Sequence, residues 1–239
     1  MVLEMRISHQ EDLEKIKGAY LKKLSGYKYQ ILVCSGAGCV SSNCVEVKNA
    51  FVEEVEANNL QEDVIVYETG CMGTCAVGPV ALVLPEGIFY TELTPEKACD
   101  IVRSHILSDR IITEYTFFDY SLHKHVPKLD DIDFFKEQVK IVLRNCGLME
   151  YNSLDAYIAR DGYQALAKVL HGMSQAEVVD EVKRSGLKGR GGAGFPAGIK
   201  WESGLRSVSD QKYILCNADE GDPGAFMDRS LIEGDPHTL

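Results

Sequence analysis

Residues 33–39 read VCSGAGC and residues 69–79 read TGCMGTCAVGP. Each opens where a short apolar, β-prone run closes, residues 27–34 (YKYQILVC) and residues 63–69 (DVIVYET), so each is the loop that leaves a buried strand. Cys34-x4-Cys39 and Cys71-x3-Cys75 thus occupy two loops, and adjacent strands running the same way bring their four thiols to one end of a sheet. The residues between them are glycine or small, which lets backbone N–H groups approach sulfur. Soft thiolates in this number select zinc or an iron-sulfur centre. Zinc ribbons use Cys-x2-Cys knuckles, whereas a 2Fe-2S cluster has two irons to span and tolerates wider loops, so the spacing favours the cluster. A zinc-stabilised interaction module, a thiol-disulfide pair and inert buried cysteines are the alternatives.

Outward from these loops, residues 9–25 carry Leu13, Ile16, Tyr20, Leu21 and Leu24 near a helical period, and residues 44–58 have a helical pattern. Residues 80–84 and 87–93 form a hairpin about Pro85-Glu86-Gly87, and Thr94-Pro95-Glu96 opens a helix to about residue 107. Strands alternating with helices define a small α/β domain over residues 1–108. Residues 109–133, polar and less periodic, are expected to be a linker. Helices are predicted over 134–145, 153–159, 161–171 and 174–184, and a second domain over 134–239.

The chain has 239 residues, 45% of them hydrophobic, with 25 Lys and Arg against 36 Asp and Glu for a net charge of −11. That length supports one or two domains with real cores. An acidic chain without a basic block repels phosphate backbones and anionic lipid, so no nucleic acid partner is expected. No run of about 18 apolar residues offers a membrane span, and Glu4 and Arg6 interrupt the start, so no direct membrane insertion and a cytoplasmic location are expected. Eight cysteines in such a compartment point to metal or redox chemistry rather than to disulfides. Cys44 and Cys99 read as spare or packed thiols, as do Cys146 and Cys216, with Cys44 a possible substitute ligand five residues past Cys39. His105, His123, His125, His171 and His237 are scattered, and surface or capping roles are expected for them.

A second glycine-rich stretch, GLKGRGGAGFPAGIKWE at residues 186–202, has the means to wrap a phosphate with backbone N–H groups and to add a lysine charge. Read alone it is also a flexible loop. It is followed by YILCNADEGDPGAFMDRSLIEGDPH at residues 213–237, where a predicted strand, residues 213–216, empties into amide and carboxylate side chains at its C-terminal end. Asn217 and Asp219 there suit the hydrogen-bonding edge of a planar heterocycle, although such a cluster also makes a turn.

Two resemblances follow from these residues. VCSGAGC with TGCMGTCAVGP, over about residues 10–107, resembles the thioredoxin-like 2Fe-2S ferredoxin module, in which the matching Cys34, Cys39, Cys71 and Cys75 bind the cluster. Residues 186–202 with 213–237 resemble the FMN-binding region of the flavin subunit of complex I, NAD(P)-linked hydrogenases and formate dehydrogenases. That resemblance implies that Gly189, Arg190, Gly191, Gly192, Gly194 and Lys200 line the FMN phosphate and ribityl chain. It implies further that Asn217, Asp219 and Glu220 lie at the flavin ring, with Phe195 and Asp222 facing the nicotinamide nucleotide. No catalytic acid or base is expected, and the fused module favours the hydrogenase-type branch.

The fold expected is therefore a thioredoxin-like 2Fe-2S domain, a helical linker and the beginning of an α/β FMN-binding domain. The function implied is that of an NAD(P)H dehydrogenase (diaphorase) subunit passing electrons between NAD(H) or NADP(H), FMN and iron-sulfur clusters within a multi-subunit oxidoreductase of hydrogenase or formate dehydrogenase type. The family continues past this region into a ubiquitin-like insertion and a helical domain with a 4Fe-4S cluster, so the chain is expected to be a fragment or a truncated gene product. A strand begun at Tyr213 without partners would leave its edges bare. The alternative is a non-catalytic 2Fe-2S carrier or docking subunit.

Overall fold

The computed structural model describes residues 7–239. The first six residues, counted in the domain expected over 1–108, lie outside the described residues. The chain divides into two compact units. One combines the residues up to Lys15 with Asp161–Ala218, and the other combines Ile16–Arg160 with Asp219–Leu239.

The larger unit is built on four strands, β1 (Tyr29–Cys34), β2 (Val64–Thr69), β3 (Ala81–Leu84) and β4 (Ile88–Tyr90), in the order β2-β1-β3-β4. β1 pairs parallel with β2 and antiparallel with β3, and β3 pairs antiparallel with β4. Because β1 is central, Ile31, Leu32 and Val33 are all fully buried, which is why its sequence is a continuous apolar run and not an alternating one. Helix α1 (Gln10–Ser25) leads into β1, α2 (Ala37–Ser41) follows it, and α3 (Cys44–Ala57) makes the crossover to β2. Helix α4 (Pro95–Ile101) starts at Thr94, whose hydroxyl accepts from the Lys97 N–H, and continues as a π-helical turn over Val102–Ile106. It packs on α3, and Phe51, Ile101 and Val102 fill the core between them with no exposed surface.

A salt bridge ties the same two segments. Arg103 donates through Nε (2.9 Å) and Nη2 (2.8 Å) to the Glu54 carboxylate, which also accepts from Asn58 at 2.7 Å. These donors, Arg103 first, hold the Glu54 carboxyl below the ordinary glutamate value of 4.5. A lowered folded-state value means that the stabilisation is fully present above about 4.5 and is lost as pH falls through the lowered value. Arg103→Met is expected to lower the melting temperature at neutral pH and to flatten its acid-side decline, which a series of thermal melts across that window checks.

The stretch read as a linker, residues 109–133, belongs to this unit. It forms a hairpin of β5 (Phe117–Asp119) and β6 (Lys124–Val126), and Val126 and Ile132 are buried in the core. The Phe89 N–H donates to the Pro127 carbonyl at 2.8 Å and the Leu129 N–H to the Gly87 carbonyl at 2.9 Å, with bridges Ile88–Lys128 and Tyr90–Thr116. The β4 edge is thereby covered. The β2 edge is covered in the same manner by the bridge Thr69–Glu150 and by the Tyr151 N–H, which donates to the Glu68 carbonyl at 3.0 Å. Bare strand edges are sites of unwanted pairing, so the polar segments are drawn into the fold by backbone hydrogen bonds that their composition does not advertise.

The same demand shortens the helix predicted over 134–145. Helix α5 spans only Asp133–Lys136, and turns follow to Gly147. β-branched Val139, Ile141 and Val142 are weak helix formers, and the chain must turn to reach β2, where the Thr69 hydroxyl accepts from the Gly147 N–H at 2.9 Å. Helix α6 (Leu154–Ala159) then closes the stretch.

In the smaller unit, α7 (Gln164–Gly172), α8 (Gln175–Arg184) and α9 (Ala197–Arg206) follow the expected helical pattern. A reciprocal cap between Ser174 and Glu177 starts α8. The strand predicted over residues 213–216 is not formed. Residues 207–226 have no regular structure, and Tyr213, Ile214 and Leu215 are exposed. Among the described residues no strand pairs with this segment, and an apolar run of a sheet has no reason to extend alone. Helix α10 (Met227–Gly234) returns to the larger unit.

Candidate functional site

The parallel pairing of β1 with β2 sets Cys34 opposite Thr69, at the C-terminal ends of both strands. The two loops that leave these ends are stitched at once, because the Thr69 carbonyl accepts both the Ser35 N–H and the Ser35 hydroxyl at 2.9 Å. Cys39 lies on α2 and is buried, as are Cys34 and Cys71, while Cys75 opens a 3-10 turn and is exposed. The thiols meet in a chain of side-chain contacts, Cys39 to Cys34, Cys34 to Cys71 and Cys71 to Cys75. Among the described residues, no group of three or more His, Cys, Asp or Glu side chains is placed to hold a single metal ion. The four sulfurs are linked pairwise instead of converging on one point.

The glycines between the cysteines are where the loops touch. A Cβ on Gly36 would fall 2.8 Å from Cys71 Cβ and 2.9 Å from its Sγ, one on Gly38 would fall 2.9 Å from Cys75 Sγ, and one on Gly78 would fall 3.1 Å from Cys39 Sγ. Backbone is pressed against three of the four sulfurs. Four thiols without a carboxylate among them, on a cradle that excludes side chains, fit a 2Fe-2S group in donor chemistry and in the approach of backbone to sulfur.

Shared hydrogen bonds and burial shape the acidity of these thiols. Cys34 is pushed up to about 11, first by its hydrogen bond with Cys39, and Cys71 is raised, first by its bond with Cys34. Cys39 is lowered by the bond it receives from Cys34, and burial raises Cys75. Metal uptake must therefore displace protons and is favoured by rising pH.

Two further thiols stand near this group. Cys44, at the start of α3, is 1% exposed and close enough to Cys34 and Cys39 for their charges to interact. Cys146 is also buried, and a Cβ on Gly70 would fall 2.5 Å from its Sγ. Cys99 is half-buried on α4. Cys216, expected to be packed, is exposed with the unformed strand around it. His105 departs from its expected surface role. It is 1% exposed, its Nδ1 lies 2.9 Å from the Tyr90 hydroxyl, and burial lowers its pKa.

In the smaller unit the glycine-rich loop closes on itself ahead of α9. The Gly189 N–H donates to the Phe195 carbonyl and the Ala197 N–H to the Leu187 carbonyl, both at 2.8 Å, with a bridge between Lys188 and Pro196. Gly192 and Gly194 take positive φ within the ring. Gly189, Arg190, Gly191, Phe195 and Lys200 are exposed, and α9, with Pro196 at its N-cap, has no side-chain cap. The loop and Lys200 thus come together, whereas Asn217 lies in the irregular segment. Asp219, Glu220 and Asp222 belong to the larger unit. There the Glu220 carboxylate caps α10, accepting the Asp228 N–H at 2.9 Å and the Arg229 N–H at 3.1 Å.

Sequence reasoning missed Ser230 and Asn145. Ser230 is buried on α10, where it works against the rise in the Cys71 thiol pKa, and Asn145 donates to Asp235 at 2.7 Å. Both act across more than 80 positions of chain, so no local spacing announces them.

Comparison with known families matches the geometry. Residues 19–105 match the thioredoxin-like [2Fe-2S] ferredoxin family, and residues 182–239 match the Nuo51 FMN-binding domain. The chain therefore carries a thioredoxin-like [2Fe-2S] ferredoxin domain together with sequence of the Nuo51 FMN-binding domain. It is 62% identical over 104 residues to the NADP-reducing hydrogenase subunit HndC of Solidesulfovibrio fructosivorans, a match covering 44% of this chain and 21% of that protein. It is 48% identical over 99 residues to the F 2 component of the NADH-quinone oxidoreductase of Rhizobium meliloti, covering 41% and 24%. The matched region is thus less than a quarter of either relative's length. The crystal structure of the thioredoxin-like [2Fe-2S] ferredoxin from Aquifex aeolicus shares 26% identity over 37% of this chain and 95% of that one, with a TM-score of 0.35. The fold assignment rests on the family matches and not on that overlap.

Proposed function

We propose that the chain is the electron-transfer (diaphorase) part of an oxidoreductase complex, moving electrons between NAD(P)H, FMN and iron-sulfur clusters in a hydrogenase-type or complex I-like assembly. The observation that carries this reading is the meeting of Cys34, Cys39, Cys71 and Cys75 at one end of the sheet, on a chain that also carries the FMN-binding sequence. The four cysteines hold a 2Fe-2S cluster. Gly189, Arg190, Gly191, Gly192, Gly194 and Lys200 cradle the FMN phosphate and ribityl chain, a role supported by the closed loop ahead of an uncapped α9. Asn217, Asp219 and Glu220 serve the flavin ring, and Phe195 and Asp222 the nicotinamide nucleotide. A bound flavin supplies the conversion of a hydride pair into single electrons. The chain's own residues bind and orient, and none is assigned a proton-transfer step.

The partners are NAD(P)H and the other subunits of the complex, of iron-sulfur and hydrogenase or formate dehydrogenase type. A cytoplasmic setting is part of the proposal, supported by free cysteines throughout and by the lack, among the described residues, of any helix long and apolar enough to cross a membrane. The exposed, unpaired segment 213–216 favours a second reading, in which this chain serves as a 2Fe-2S carrier or docking subunit and needs only the larger unit.

Anaerobic addition of NADH and then NADPH to the assembled complex separates the two. The diaphorase reading expects flavin bleaching followed by a reduced 2Fe-2S electron paramagnetic resonance signal. A complex in which this chain holds no flavin, yet whose cluster is reduced by another subunit, overturns it in favour of the carrier.

A further inference from the structure

Residues 69–72, where β2 ends and the second cysteine loop begins, are held between two other parts of the larger unit. On one side, the Gly147 N–H donates to the Thr69 hydroxyl at 2.9 Å, a Cβ on Gly147 would fall 3.3 Å from the Met72 side chain, and one on Gly70 would fall 2.5 Å from Cys146 Sγ. On the other side stands the end of α10, which carries Nuo51-type sequence. A Cβ on Gly234 would fall 2.9 Å from Gly70 Cα, 3.0 Å from Cys146 Sγ and 3.6 Å from the Cys71 nitrogen. Gly70 therefore has no spare room on either flank. The two flanks are joined by the residues next to them in sequence. Asn145 Nδ2 donates to Asp235 Oδ2 at 2.7 Å, the Thr238 hydroxyl donates to the same oxygen, and Arg160 Nε donates to Asn145 Oδ1 at 2.8 Å. Asn145 is 4% exposed and Asp235 is fully buried, and the second Asp235 oxygen has no hydrogen-bond partner among the described residues.

We infer that Asn145 and Asp235 are a positioning pair for the 2Fe-2S centre, their buried hydrogen bond clamping the end of α10 and residues 145–147 on Gly70 and so fixing where Cys71 presents its sulfur. A buried carboxylate with one oxygen unpaired is a poor source of stability, because burial strips its hydration. It is a good source of position, because a buried hydrogen bond holds one length and one direction. The stiffness it adds falls on the loop that carries Cys71 and Cys75. Residues matched to the FMN-binding domain thereby serve the iron-sulfur centre as well, and a displacement of α10 would disturb the centre without touching a ligand.

The inference rests on the cluster reading of the four thiols, and the test separates the two. The full chain is reconstituted anaerobically with iron and sulfide as wild type, Gly234→Ala, Asp235→Leu, Asp235→Asn and Arg103→Met. Each is read by its electron paramagnetic resonance spectrum after dithionite and by the rate at which it loses iron to a chelator, at a temperature where circular dichroism shows it folded. Gly234→Ala parts helix and loop without touching a polar group, and Asp235→Leu removes the acceptor. Both are expected to shift the resonance lines and to lose iron about tenfold faster. Asp235→Asn keeps an acceptor for Asn145 and is expected to match wild type, as is Arg103→Met, which loosens the α3–α4 packing instead. A wild-type spectrum and rate in Gly234→Ala or in Asp235→Leu overturns the inference while leaving the cluster reading intact. Equal acceleration in Arg103→Met or in Asp235→Asn also overturns it, because overall loosening or the lost charge would then be responsible. If Asp235→Leu does not fold, Gly234→Ala decides by the same readings. A wild-type chain that takes up no iron and sulfide overturns both.

Discussion

Gly36→Val is expected to strip the chain of its cluster without removing a single ligand. Even the first added carbon at Gly36 would sit 2.8 Å from Cys71 Cβ and 3.1 Å from its Cα, distances at which loop or helix must move. The neighbour is a short side chain anchored at the end of β2, not the flexible tip of a long one. Relief therefore comes from separating the two loops, and that separation breaks the Cys34–Cys71 contact on which the site is built. Overpacking of this kind costs about 1–3 kcal/mol of stability, and loss of a supporting contact at a metal site typically weakens it by about 10- to 100-fold. Iron and sulfide content of the purified variant, beside its melting temperature, reads both effects. Retention of a full cluster in Gly36→Val would show that the loops are not held as close as the structure has them.

Cys71→Ser is the second large effect, and it gains meaning from its control. Cys71 interacts with both Cys34 and Cys75, so its sulfur is the hub of the thiol group, and its loss is expected to bleach the visible absorption almost completely. Cys44→Ser is expected to leave that absorption in place. Cys44 is as buried as Cys34, but it starts α3, and burial rather than a shared thiol hydrogen bond is what raises its pKa to about 11. If Cys44→Ser bleaches the protein and Cys71→Ser does not, the ligand set proposed here is wrong.

The cysteine loops were legible because their logic is local. A strand that must be buried ends in a loop, and the spacing within each loop declares how its sulfurs are presented. The parallel β1–β2 pair, the hairpin of β3 and β4 and the Thr94 cap of α4 follow from short-range pattern in the same way. What escaped is what depends on distant partners. Residues 109–133 look like a linker by composition, yet their backbone closes the open edge of β4. Val139 to Val142 fit a helical period, but the hydrogen bond from the Gly147 N–H to Thr69 turns the chain instead. Tyr213 to Cys216 has the composition of a strand, and without a neighbouring strand among the described residues it stays exposed. His105 gives no local sign that it will be buried against Tyr90. Asn145 shows the limit most clearly, since nothing near it in the sequence marks the distant Asp235 as its buried partner.

The direct test of the account is the metal and sulfide content of the chain, reconstituted with iron and sulfide without oxygen and paired with its visible spectrum before and after dithionite. The account predicts about two irons and two acid-labile sulfides per chain, with broad charge-transfer absorption that fades on reduction. A colourless chain after full loading, or one that takes up a single zinc ion and no sulfide, would contradict it.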